Sequence, residues 1–84
     1  MDTAVSVEMA AQALRRIRPS AYRISRVDNR TTITLTVDAS AAGRRNAAAR
    51  IVTALTDGGI GLVADDPIDA LTRGASLVLA QRHR

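Results

Sequence analysis

From Arg30 to Asp38 the chain reads RTTITLTVD, an alternation strict enough to set an orientation before anything else is known. Side chains along an extended strand point to opposite faces in turn, so Thr32, Thr34 and Thr36 share one face while Ile33, Leu35 and Val37 share the other. One face is built for burial and the other for water or a partner. Such a pattern belongs to an antiparallel sheet covered on one side only.

The preceding residues supply the neighbouring strand. AYRISRV and TTITLTV flank DNR, which reads as two strands joined by a tight turn. With Asn29 and Arg30 as a two-residue loop, Asp28 pairs with Thr31. Tyr22, Ile24 and Arg26 then lie opposite Val37, Leu35 and Ile33, and Arg23, Ser25 and Val27 lie opposite Thr36, Thr34 and Thr32. The apolar faces coincide, as a hairpin requires.

On either side of this hairpin the period changes to that of a helix. Val7, Ala10, Ala13, Leu14 and Ile17 predict a helix from about residue 4 to 18, stopped by Pro19. A second helix is predicted from about Ala41 to Asp57, with Ser40 as N-cap and Gly58-Gly59 as the stop. Its apolar side carries Ala47, Ala48, Ile51, Val52 and Leu55, and its exposed side Asn46, Arg50, Thr53 and Asp57. IGLVA then reads as a short strand. DDPIDALTRG reads as a single helical turn or wide loop, capped by Asp66, with Pro67 at its first position and ended by Gly74. ASLVLAQ, apolar on both faces, reads as a central strand.

The order helix, strand, strand, helix, strand, strand predicts an α+β two-layer sandwich, a four-stranded sheet with two helices on one face. It equals a ferredoxin-like arrangement whose first strand has moved to the end, which inserts ASLVLAQ beside TITLTV. An offset of 38 maps Ala10, Leu14, Ile17, Tyr22, Ile24 and Asp28 onto Ala48, Val52, Leu55, Ile60, Leu62 and Asp66, which reads as an internal repeat. The 84 residues make one small domain with a tail fraying from about residue 81.

Two helices on one face leave the other bare, and this bare face is the first candidate site. It would hold Arg23, Ser25, Val27, Thr32, Thr34 and Thr36, with either Ser76, Val78 and Ala80 or Leu77 and Leu79 according to the register of the last strand. The simplest account is a solvated sheet face; the functional one is a docking surface for a second copy or a protein partner. It offers no aromatic platform for stacking bases, which argues against RNA reading through the sheet. Composition favours self-association. Hydrophobic residues make up 46% of the chain, but 16 of them are alanine and there is no Phe or Trp, so burial between subunits would supplement a thin core.

The second candidate comes from charge. All twelve basic residues are arginine, and the net charge of +4 favours acidic partners, nucleic acid or anionic membrane surfaces. Arg44 and Arg45 stand in the first turn of the second helix, where the helix dipole disfavours cations. The hairpin register is expected to bring Arg15, Arg16 and Arg18 to the same end, forming an anion or nucleic-acid site of five guanidiniums. The plain alternative is that these arginines are solvated and partly neutralised by Asp2 or Asp38.

Catalysis finds little footing in these residues. There is no cysteine, His83 lies in the terminal QRHR, and Asp65, Asp66 and Asp69 are accounted for by capping and turn formation. GGIG follows a helix, whereas a phosphate-cradling loop precedes one. No catalytic residue, metal or cofactor is therefore expected. MDTAVSVEMA lacks the basic start of a signal peptide and no apolar run approaches a membrane span, so a cytoplasmic protein is expected.

From AARIVTALTDGG through PIDALTRGASLVLA, about residues 47–80, the chain resembles SepF-type cell-division proteins. The matching features are a helix with an R-(I/L)-V core, a glycine, a strand, an I-(D/E)-x-(V/L)-T turn and an apolar strand. The resemblance implies a homodimer that binds a filament-forming division protein. The first half departs from the family by an extra strand and by lacking its basic amphipathic membrane-targeting helix, and the segment after the second helix is longer. Taken together, the residues point to a non-catalytic protein-interaction module, homodimeric and of bacterial or phage type, binding an as yet unknown protein for which an acidic surface would fit. The alternatives are a small basic nucleic-acid-binding or phage-type regulatory protein and a SepF-like division protein.

Overall fold

The computed structural model describes residues 5–81. The expected tail lies outside the described residues except for Gln81, which ends a strand; His83 and Asp2 also lie outside them. The first helix, α1 (Val7–Ala13), is capped by Ser6, whose Oγ accepts the Met9 N–H at 3.0 Å. It is shorter than the period of its apolar residues predicts. After Leu14 the chain turns through tighter bonds, with the Ile17 N–H on the Leu14 carbonyl at 2.8 Å, and a 3₁₀ turn follows at Pro19–Ala21. Proline pushes the preceding residue out of the helical region, and Arg18 is extended, with ψ 126°.

Strands β1 (Tyr22–Val27) and β2 (Arg30–Leu35) form the expected hairpin in a different register. Val27 pairs with Arg30, Ile24 with Ile33 and Tyr22 with Leu35, so the loop is Asp28-Asn29 and not Asn29-Arg30. Both loop residues have positive φ, 52° and 65°, as a two-residue turn that follows the strand twist demands. Asp and Asn tolerate that conformation better than Arg. The register moves by two residues, an even number, and therefore leaves every side chain on its expected face.

Helix α2 (Ala41–Asp57) runs between the expected bounds. The Ser40 Oγ accepts the Gly43 N–H at 3.2 Å, and Gly59 follows the helix with φ +80°. Strand β3 (Ile60–Leu62) comes next, then α3 (Pro67–Thr72), a helix of six residues capped by Asp66 rather than a single turn. Strand β4 (Ser76–Gln81) completes the sheet, whose order is β1-β2-β4-β3, antiparallel throughout. The protein is thus an α+β two-layer sandwich with the strand order of the permuted ferredoxin-like arrangement. A two-fold axis between β2 and β4 would exchange β1 with β3 and β2 with β4, the symmetry expected of two helix-strand-strand halves. The offset of 38 carries β1 onto β3 but not β2 onto β4, because α3 is inserted before the last strand.

All three helices pack against the same sheet face. Leu14, Ile33, Ile51, Leu55, Ile60 and Leu71 are fully or almost fully buried there, joined by Val5, Leu35, Leu77 and Leu79. Among the described residues the core holds one buried polar residue, Thr31, whose hydroxyl donates to the Val5 carbonyl and ties the segment before α1 to β2. No helix among the described residues is long and apolar enough to cross a membrane.

Candidate interaction surfaces

The register of β4 settles the composition of the bare face. Val78 pairs with Thr32, Ser76 with Thr34 and Ala80 with Gly61, which places Ser76, Val78 and Ala80 on the threonine side and buries Leu77 and Leu79. Arg23, Ser25, Val27, Thr32 and Thr34 lie on it as expected. Thr36 falls just past the end of β2, at the margin, where its hydroxyl donates to the Ser20 carbonyl at 2.9 Å. Arg30, opposite Val27, also lies on this side.

The hydroxyls on this face are largely used within it. Those of Thr34 and Ser76 bond to each other across the strands, and the Thr32 hydroxyl reaches the Ser25 carbonyl at 3.5 Å. Methyl groups and small side chains are what remains presented. Val27 and Val63 are 54% and 64% exposed at opposite edges of the sheet. Ser25, Thr32, Thr34, Ser76, Val78, Ala80 and Gly61 carry no charge, and the charges on this face are Arg23, beside Thr34 on the edge strand β1, and Arg30 at the start of β2.

The five arginines of the second candidate do not converge. Arg44 is half-buried. Its Nε donates to the Thr72 carbonyl at 3.0 Å and its terminal nitrogen to the Val37 carbonyl at 3.1 Å, joining the start of α2 to the end of α3 and to the chain leaving β2. The cost of a cation at a helix start is thus offset by the last carbonyls of another helix. Arg45 lies 4.0 Å from Asp69, which also pairs with Arg73. The hydrogen bond and charge of Asp69 raise the pKa of Arg73. Arg15 turns back to the Gln12 carbonyl at 3.0 Å.

The expected cluster fails because α1 stops at Ala13. That residue sits beside Gly58, where an added Cβ would come within 3.0 Å of the Ala13 Cβ, so α1 ends near the C-terminus of α2 and not at its start. The chain from Leu14 to Ala21 then returns along α2. Between the two lies an open groove of ≈ 880 Å³, reached by Arg16, Arg18 and Arg50. Arg50 is a member the sequence did not single out as a site residue. Its signal was the exposed stripe Asn46, Arg50, Thr53 and Asp57 on the second helix.

Among the described residues no three His, Cys, Asp or Glu side chains are grouped to hold a metal ion. The fold and its surfaces define a small α+β sandwich with one uncovered sheet face and a basic groove in its helical layer. Comparisons with protein-family models, curated proteins and solved structures found no match for the chain.

Proposed function

We propose that the protein is a non-catalytic interaction module that pairs with a second copy of itself through the bare sheet face and acts by binding a protein partner. The observation that carries this is the uncharged patch on that face, in a chain with twelve arginines and a net charge of +4. A neutral patch can meet its own copy without repulsion, and small side chains whose hydroxyls are already bonded let two sheets approach closely. The SepF-type resemblance also implies a homodimer, and makes a filament-forming division protein the first partner to try.

Three six-residue strands and the three-residue β3 at sheet spacing give a face of at most roughly 20 by 19 Å, smaller than the ~800 Å² per partner of a standard interface, so a weak pairing, on the order of micromolar, is expected. Sedimentation equilibrium at about 100 µM, roughly a hundredfold above a micromolar Kd, should report twice the 8.9 kDa chain mass. Thr34→Arg, which sets like charges against each other across the interface, should return the chain to monomer. A wild-type monomer at that concentration refutes the pairing, and a Thr34→Arg dimer moves the interface elsewhere.

A further inference from the structure

The groove between the Leu14–Ala21 segment and α2 lies in the helical layer, away from the bare sheet face. Its floor is Ile17, Ala21, Val37, Ala47 and Ala54, small or aliphatic groups that let another backbone lie close. Its polar rim is Arg16, Arg18 and Arg50 against a single carboxylate, Asp57. Arg16, Arg18 and Arg50 make no ion pair and no side-chain hydrogen bond among the described residues, in contrast to Arg15, Arg44, Arg45 and Arg73. The α2 stripe along the groove, from Gly43 to Asp57, is about 21 Å long at 1.5 Å per residue, the length of about four helical turns.

From this charge complementarity we propose that the groove takes an acidic amphipathic helix of a partner protein. Its apolar side lies on the alanine floor and its carboxylates meet Arg18 and Arg50. An apolar face laid in a groove supplies contact area, while the guanidiniums set orientation and reject basic segments. Asp57 and the negative end of α2 disfavour an acid at that end of the groove, which polarises the occupant. The inference rests on the reading of the chain as an interaction module, and names the chemistry of its partner.

The test uses the full chain and a fluorescein-labelled 18-residue peptide of Glu, Leu and Ala in an amphipathic helical pattern, with a second peptide in which every Glu is Lys. Fluorescence anisotropy should show saturable binding of the Glu peptide and none of the Lys peptide. In Arg18→Glu/Arg50→Glu the Glu peptide should bind at least about tenfold more weakly, equivalent to about 1.4 kcal/mol, and the Lys peptide should now bind. That gain also shows the variant to be folded. No binding of the Glu peptide at about 100 µM, unchanged binding in the double variant, or tighter binding of random duplex DNA through the same two arginines would each overturn the proposal. Because Thr34→Arg leaves the groove intact, a failure of copy pairing and a failure of groove binding appear in separate measurements.

Discussion

Arg44 shows how a residue can look functional in a sequence and prove architectural in the fold. In the first turn of α2 it opposes the helix dipole, and no local partner excuses it. Its acceptors are two main-chain carbonyls, those of Thr72 and Val37, which no side-chain pattern reveals. Arg45, one position on, is 59% exposed and only at the limit of ion pairing with Asp69. The pair therefore separates under mutation. Arg44→Ala should lower unfolding free energy by about 2 kcal/mol, since charge-assisted hydrogen bonds are lost and carbonyls left short of donors. Arg45→Ala should stay within about 0.5 kcal/mol, as exposed pairs do. Urea denaturation of the two single variants checks both figures, and equal effects would show that the clamp is not what holds α3 to α2. Arg44→Lys should recover only part of the loss, because a single ammonium nitrogen replaces two donor nitrogens held apart on a rigid plane.

Elements were legible where a chemical signal marks both ends. Helix α2 has Ser40 before it and two glycines after it, and its bounds could be read directly. Helix α1 was read from its apolar period and from Pro19 alone, without its Ser6 cap and with no local stop, so the expectation ran past Ala13 into a segment that keeps Leu14 and Ile17 inward through a tighter turn. In the hairpin the pattern determined the faces and not the pairing, because a slip of two residues preserves every face. The deciding fact, positive φ at Asp28 and Asn29, is a backbone property that polar residues only permit. A substitution distinguishes the two registers. Asp28→Val puts a β-branched residue at φ 52° and should cost about 1–2 kcal/mol, whereas Asp28→Gly should cost little. A harmless Asp28→Val in urea denaturation would return Asp28 to the strand.

At the scale of the whole molecule the helices cover one face of the sheet, which closes the core, and leave the other face uncovered. That division was visible in the threonine alternation, but the composition of the bare face waited on the β4 register, and the basic groove on where α1 ends. Thr31 apart, the largest fully buried side chains are aliphatic, with no aromatic among them, so the monomer should be of modest stability and pairing should add to it. The melting temperature should accordingly rise by about 4 °C for each tenfold increase in concentration, given ordinary enthalpies for a chain of this size, and Thr34→Arg should abolish the dependence. A flat melting temperature in the wild type would mean that the fold stands alone. The place of β4 also governs the order in which the protein can come into being on the ribosome. It joins β2 on one side and β3 on the other, and it is synthesised after both. Until it emerges, the nascent chain holds one hairpin, an unpaired β3 and an open inner edge on β2. A product cut short before Ser76 loses two of its three strand pairings at once, so a protease would meet either the finished sheet or a lone hairpin.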